Sequence, residues 1–573
     1  MKASDYIASF LHAQGVTHVY EVVGGMITHL VDSIHSHGKI HLVSMHHEQA
    51  AGFAAEAMAR CTGLPGVAMA TSGPGATNLL TAIGSCYFDS SPAVFITGQV
   101  NRHEQKGALP IRQLGFQETD IVSMVTNITK AAWCVQTPED LPALLSKAFI
   151  IASSGRRGPV LIDIPMDVQR AEIPGTSAEG EPFVAGRDPD PVLIDELLTA
   201  LTVAKRPLIL AGGGISSSLS AELFKQFAES VNIPVVNSLM GVDLLPYDHS
   251  LRVGTIGSYG NRWANLAIGQ SDLLLVLGSR LDVRQTGSEV EAFKGERTIF
   301  HVDIEVGEIN NRVKGCVAIV ADLPEFFASI AQPMKKFIWP DRREWLAEIQ
   351  LQQQSWPDTA ELPGISGINP NWFMGQLSDS ASQAASFLVD VGQHQMWAAQ
   401  SLKLVAEQRF LTSGGMGAMG FALPAAIGAA LARPDQPVVM IAGDGSMQMN
   451  IQELQTVFHH QLPIKLVVIN NQCYGMVRQF QQSYFEERYQ STCWGYSAPN
   501  FVNLASAYGI VSCSVSEQSD VPRALERMWQ DPEAPFLLQV MIDINTNTYP
   551  KIAFGRPIYE MEPFVKPLDM EGT

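Results

Sequence analysis

At 573 residues the chain has room for about three domains of ordinary size. Its 46% hydrophobic and 17% charged content permits large cores and excludes an intrinsically disordered chain. A formal net charge of -19 makes nucleic acid or an anionic membrane a poor partner.

The N-terminus, Met1-Lys-Ala-Ser-Asp-Tyr6, begins an amphipathic helix with no leader pattern ahead of it. No apolar stretch is long enough to span a bilayer, so a cytoplasmic location is expected. Residues 1–175 then alternate helical and strand patterns, with strand-like runs at 67–71, 93–97 and 159–165. The polar, Gly/Pro-rich segment 171–191 reads as a linker. A second α/β unit follows over 192–335, with strands at 207–211, 272–277 and 298–302. A charged, Trp- and Gln-rich stretch leads to a third unit over 369–555, whose last strand is 536–542. The tail, 556–573, carries aromatics suited to packing across a surface.

The seven cysteines are Cys61, Cys86, Cys134, Cys316, Cys473, Cys493 and Cys513. They are odd in number and scattered, and no CxxC occurs. This predicts reduced thiols and argues against a disulfide framework or a zinc site.

The third unit carries the most informative stretch. Pro437-Val-Val-Met-Ile-Ala-Gly-Asp-Gly-Ser446 is followed, about one helix later, by Ile464-Lys-Leu-Val-Val-Ile-Asn-Asn471. Two apolar, β-branched runs that each end in polar residues predict buried parallel strands joined by a crossover helix. Ligands in such sheets sit at the carboxyl ends of strands, where Asp444 and Asn471 fall together. A carboxylate and an amide oxygen suit a hard cation such as Mg²⁺. Gly443 and Gly445 let the backbone approach a phosphate closely. A lone GDG is more often a turn; GDG with NN at this spacing is far more specific.

Three further stretches accompany it. Met45-His-His-Glu-Gln-Ala-Ala51 opens an Ala-rich helix with Glu48 at its start, where an acid also suits the macrodipole. Thr71-Ser-Gly-Pro-Gly-Ala-Thr-Asn78 follows a strand and opens a helix. Phe410-Leu-Thr-Ser-Gly-Gly-Met-Gly-Ala-Met-Gly420 is a Gly-rich loop ahead of another helix, and its methionines also suit core filling.

With HEQAAGFAAEAMAR, TSGPGATNLLTAI, GFQETDIV, VGQHQMWAAQ, LTSGGMGAMGFALPAAIGAA, GDGSMQMNIQEL and NNQCYGMVRQFQ, the chain resembles the thiamine diphosphate (ThDP) enzymes. Among them it is most similar to the acetolactate synthase (acetohydroxyacid synthase) catalytic subunits. The resemblance covers most of the chain. It implies three doubly wound parallel-sheet domains: pyrimidine-binding, central and diphosphate-binding. It implies Glu48 as the acid that activates the aminopyrimidine, a task a buried carboxylate suits, and Gln117 near the reacting carbonyl. Asp444, Asn471 and the Cys473 carbonyl would hold Mg²⁺. Gln393, His394 and Ser446 would contact the diphosphate, and Met419 would wedge the cofactor into its bent shape. Pro74, Asn78, Gly392, Gly417, Gly445 and Met476 would complete the ThDP site.

The central domain of these synthases also holds a non-redox FAD. Here Gly213, Gly214, Leu239, Met240, Gly257, Gly260, Arg280, Arg284, Asp303 and Asp322 occupy the matching stretches. The family further implies a homodimer or homotetramer with sites shared between subunits, Glu48 from one and Asp444 from the other, and a 2-oxo acid substrate.

Departures from the family crowd the expected substrate pocket around Val100, Phe116, Val477 and Phe480. Phe480 replaces a Trp, and Ser258 and Val283 replace a Met and an Asp. Glu21-Val-Val-Gly-Gly25 replaces Gly-Tyr-Pro-Gly-Gly, and the segment 100–115 is longer and carries Arg102, His103, Lys106 and Arg112. The expected reaction is decarboxylating transfer of a two-carbon unit from pyruvate to a second 2-oxo acid. The alternatives are a different carbonyl acceptor, such as a keto-sugar nucleotide held partly by those cations, or simple 2-oxo acid decarboxylation or oxidation.

Overall fold

The computed structural model describes residues 1–174, 186–362 and 364–569. The middle of the expected linker, 175–185, lies outside them. The fold is α/β, with three six-stranded sheets whose strands all pair in parallel.

The first sheet is built from β1 (His18–Val22), β2 (His41–Ser44), β3 (Gly66–Ala70), β4 (Ala93–Gln99), β5 (Ala131–Cys134) and β6 (Pro159–Pro165). The second holds β7 (Pro207–Ala211), β8 (Val235–Asn237), β9 (Arg252–Thr255), β10 (Leu273–Leu277), β11 (Thr298–Asp303) and β12 (Val317–Val320). The third holds β13 (Ser386–Val389), β14 (Arg409–Thr412), β15 (Val438–Gly443), β16 (Ile464–Asn470), β17 (Val511–Val515) and β18 (Phe536–Met541). Counted within each unit, the outer two sheets share the order 2-1-3-4-6-5, whereas the middle one runs 3-2-1-4-5-6. The first and third units therefore repeat one topology on unrelated local sequences.

Central strands are covered on both faces. Every residue of β4 and β16 is buried, which is why these strands read as continuous apolar runs and not as alternation. The edge strand β5 is only half-buried along its length, so no such run marks it.

Two helices join the outer units. Helix α1 (Glu48–Thr62) packs on α2 (Ala422–Ala432). Phe53 meets Phe421 edge to face at 5.4 Å between centroids. A Cβ on Gly428 would lie 2.1 Å from the Ala54 carbonyl oxygen, so the small residues of both helices permit this close approach. Residues of both helices, with strand residues of both sheets, form one continuous core.

The third sheet ends at Met541, and the chain then leaves it. A short antiparallel hairpin, β19 (Lys551–Ile552) with β20 (Met561–Glu562), packs on the central unit beside Trp263 and Ile268. Arg262 fixes it, bonding Glu361 at 2.6 and 2.7 Å and the Glu562 carbonyl at 3.0 Å. The Arg262 guanidinium also lies 4.7 Å from the Phe564 ring centroid. A division at 555/556 would cut this hairpin, which the irregular tail sequence concealed.

Candidate active site

Asp444 follows β15 directly and opens the short helix Asp444–Met447. It is 2% exposed, and among the described residues its Oδ2 has no hydrogen-bond partner. Burial pushes its pKa up to about 6, with the Tyr496 hydroxyl and nearby main-chain N–H groups acting against that rise. Across the sheet, Asn471 follows β16. Its Nδ2 donates to Gln393 Oε1 at 3.0 Å, and its Oδ1 accepts the Cys473 N–H at 3.3 Å. Asp444 and Asn471 thus stand at the carboxyl ends of two paired strands, and a carboxylate with an unpartnered oxygen and an amide oxygen are hard-oxygen donors of the kind that fits Mg²⁺. Among the described residues no group of three or more His, Cys, Asp or Glu could hold a metal, which leaves no rival site of softer ligands.

On the diphosphate side, His394 and Gln393 both make hydrogen bonds within the third unit. His394 Nε2 accepts the Gly443 N–H at 3.2 Å, and its ring also bonds the Asp390 main chain. Burial holds this imidazole neutral, pushing its pKa down to about 3. The Gln393 amide is committed to Asn471 and to the Thr546 carbonyl at 2.9 Å. Both residues lie in the first turn of α3 (Gln393–Ser401), whose N-terminus follows Gly392; such a terminus suits an anion. Ser446 Oγ donates to the Val391 carbonyl at 2.9 Å, which holds its oxygen at that helix start. Gly445 is dictated by packing: a Cβ there would lie 2.4 Å from the Tyr474 ring.

The Gly-rich loop with Gly417 and Met419 is pinned at both ends by carboxylates. Asp89, from the first unit, accepts the Gly414 and Gly415 N–H groups at 2.9 and 2.6 Å. Asp390 accepts those of Val391, Gly420 and Ala422 at 2.8, 3.0 and 2.8 Å. Burial raises the Asp390 pKa to about 6. Sequence reasoning missed Asp390; its only signal was an acid ending an apolar strand just before Val391-Gly-Gln-His394. Asn450 adds a third tie, donating to the Gly420 carbonyl at 2.8 Å and to Gln49 Oε1 at 3.1 Å.

Glu48 belongs to a second cluster. Asn78 Nδ2 donates to Glu48 Oε2 at 2.9 Å. A Cβ on Gly75, just after Pro74, would stand 3.2 Å from Glu48 Oε1. Gln117 adopts φ +66° and packs against Gly73, itself at φ +65°. Glu48, Pro74, Asn78 and Gln117 therefore share one corner, with Phe116 80% exposed beside it. Among the described residues no hydrogen bond links this cluster to Asp444 or Asn471. Contacts between the outer units other than α1 on α2 and Asp89 include the His46 N–H, which donates to Glu453 Oε1 at 2.9 Å, and Gln49.

A cavity of about 670 Å³ opens at the carboxyl end of the middle sheet. Gly213, Gly214, Leu239, Met240, Arg280, Arg284, Asp303 and Asp322 line it, and it reaches Gly392, Gly417 and Met476 of the third unit. Gly257 and Gly260 do not line it. A Cβ on either would lie 2.4 Å from a carbonyl oxygen, of Arg284 and Thr255 respectively. These glycines fold the turn that presents Ser258 and Tyr259 to the cavity. Burial raises Asp303 to about 6.

On the acceptor side, Phe480 lies on α4 (Gly475–Tyr484) with its ring 4.9 Å from Tyr484 and 5.8 Å from Phe485. Val477, on the same helix, is 53% exposed, whereas Val100 is buried. Arg102 is already paired, its Nε 2.7 Å from Asp167 Oδ2. Lys106 Nζ reaches the Ile111 carbonyl. The expected cluster of free cations on 100–115 therefore loses Arg102.

Two outer sheets of one topology, a cation-competent turn on one and an acid-bearing helix start on the other, define a ThDP enzyme. The comparisons agree: "Thiamine pyrophosphate enzyme, N-terminal TPP binding domain" matches residues 1–124, the central domain 194–330 and the C-terminal TPP binding domain 390–540. The chain is 37% identical over 565 residues to the acetolactate synthase isozyme 2 large subunit of Escherichia coli (strain K12), covering 98% of this chain and 99% of that one. Acetolactate synthase 2, chloroplastic, of Nicotiana tabacum is 37% identical over 97% of this chain and 84% of its own. The large subunit of Lactococcus lactis subsp. lactis (strain IL1403) is 36% identical over 97% and 95%. The chain belongs to the acetolactate synthase family of ThDP enzymes.

Proposed function

We propose that this enzyme is a Mg²⁺-dependent carboligase. It takes pyruvate as donor, releases carbon dioxide and joins the remaining two carbons to a second carbonyl, giving an acetohydroxyacid. The observation that carries this reading is the buried, unpartnered Oδ2 of Asp444 beside Asn471. Asp444, Asn471 and the Cys473 carbonyl would hold the cation, and the start of α3 with Ser446 would orient the diphosphate. ThDP, when bound, supplies the electron sink for decarboxylation. Met419 would set the cofactor's bend, with Asp390 fixing its turn. Glu48, oriented by Asn78, would exchange a proton with the aminopyrimidine, and Gln117 would face the substrate carbonyl.

Glu48 and Asp444 share no contact within one chain, which supports a homodimer or a tetramer of dimers whose sites each draw on two copies. Eight of the ten residues expected at FAD line the large cavity, which supports FAD there. That volume lies within the range of ligand sites, about 300–1,000 Å³. No described helix is long and apolar enough to cross a membrane, in keeping with a cytoplasmic enzyme.

The test is incubation with ThDP, Mg²⁺ and pyruvate, followed by product identification. Acetolactate formed by wild type and not by Asp444→Ala supports the reading; acetaldehyde or acetate alone refutes carboligation. Phe480 favours a second reading of the acceptor alone, in which a carbonyl compound other than 2-oxobutyrate is preferred.

A further inference from the structure

Two of the cysteines meet beside the cation-binding turn. Cys473 is 3% exposed, and the Cys493 side chain is among its neighbours. The backbone brings them together: the Tyr474 N–H donates to the Thr492 carbonyl at 3.1 Å, one residue from each cysteine. The next residues continue the contact, with the Tyr474 and Tyr496 ring centroids 4.6 Å apart. Cys473 packs inward toward the Ile544 carbonyl, whereas Cys493 is half-buried on a surface segment whose neighbour Trp494 is 54% exposed. Cys493 is thus the less buried of the two and Cys473 the more buried, an order in which an oxidised cysteine can be resolved by its neighbour.

We propose that Cys473 and Cys493 are a redox-responsive pair whose disulfide fastens the segment 485–496 over the cation-binding turn and blocks cofactor loading. The effect on loading rests on the Mg²⁺ and ThDP reading above. The oxidant is a peroxide. Cys493 attacks it, giving a sulfenic acid and one water. Cys473 then displaces the hydroxyl, forming the S–S bond and a second water. Two thiols are oxidised by two electrons, and the peroxide is reduced. The link changes function because Cys473 supplies its carbonyl to the cation turn and Tyr474 packs against Gly445. Holding these residues to the 485–496 segment removes the freedom the turn needs to admit the diphosphate.

The full-length protein, freed of cofactor, is treated with hydrogen peroxide and digested without reduction. The expected result is a Cys473–Cys493 cross-linked peptide that dithiothreitol abolishes. Hydrogen exchange over 485–496 slows in the oxidised protein. ThDP with Mg²⁺ is retained through gel filtration by reduced protein, is lost from the cross-linked fraction and is retained again after reduction. Cys493→Ser loads ThDP like wild type and ignores peroxide. Peroxide that yields only overoxidised Cys493 with no cross-link overturns the pair. A cross-link that leaves loading unchanged overturns the block. If reduced wild type fails to bind ThDP, the functional reading falls, while the cross-linked peptide and the exchange of 485–496 still decide the pair.

Discussion

Replacing Asp390 with Asn tests whether the Gly-rich loop is set by this buried carboxylate. Asp390 is 1% exposed and accepts three main-chain N–H groups, two of them flanking Phe421 right after the Met419 turn. Asn keeps the size but turns one oxygen into a donor, so at least one buried N–H faces an N–H. Leaving such a group unsatisfied costs about 1–3 kcal/mol. One of the three caps α2 at Ala422, where a negative charge adds about 0.3–1 kcal/mol. The loop, not the whole fold, carries this cost, because Asp89 still holds its other end. If the ordered loop is needed to seat the cofactor, a loss of that size weakens ThDP binding by about 5–150-fold. Calorimetry with ThDP and Mg²⁺ reads the affinity, and hydrogen exchange at Gly420 and Ala422 reads the loop. The expected pattern is faster exchange, weaker binding and a turnover number that recovers at saturating ThDP. Unchanged exchange and affinity in Asp390→Asn would refute the reasoning.

Glu48→Gln keeps an acceptor for Asn78, so the fold and ThDP binding should persist while most activity disappears; proton exchange at the cofactor's reactive carbon, followed by NMR, should slow by orders of magnitude, and a wild-type rate would remove Glu48 from its role. Glu56, fully buried, is raised to about 7 by burial and by the charge of Asp89. Its folded value lies above its unfolded one, so stability is full below about 4.5 and falls as pH rises through 7, by at most about 1.4 kcal/mol per pH unit; thermal unfolding of Glu56→Gln between pH 5 and pH 8 should show a flatter pH dependence than wild type, and parallel curves would contradict this. Purified protein should be yellow from FAD, and protein that stays colourless after FAD is supplied would empty the cavity of that assignment. Phe480→Trp should raise the share of 2-oxobutyrate product in a mixed-acceptor competition by up to about tenfold, since one aromatic contact is worth about 0.5–1.5 kcal/mol; an unchanged share would make the substitution neutral.

What the sequence could reveal followed from how locally each feature is encoded. β15 and β16 announced themselves because both faces are buried, and their ends delivered Asp444 and Asn471 to one edge without any tertiary knowledge. The half-buried edge strand β5 and the tail hairpin lacked such runs, since their stability comes from partners distant in the chain, such as Arg262 for the hairpin. The side-chain state of His394 was equally hidden. Its ring accepts the Gly443 N–H and burial lowers its pKa, neither of which a motif announces. The same distinction separates the two halves of the site. The resemblance already implied that Glu48 and Asp444 come from different subunits, but how α1 packs on α2 within one chain could not be read from the motifs. That packing ties the Glu48 helix to the Gly420 turn through Gln49 and Asn450. In a dimer with shared sites, these two elements serve different active sites. A disturbance of the Met419 turn in one site would therefore reach the acid of the other along two hydrogen-bonding side chains, Asn450 and Gln49, and the helix interface is where coupling between sites should be sought.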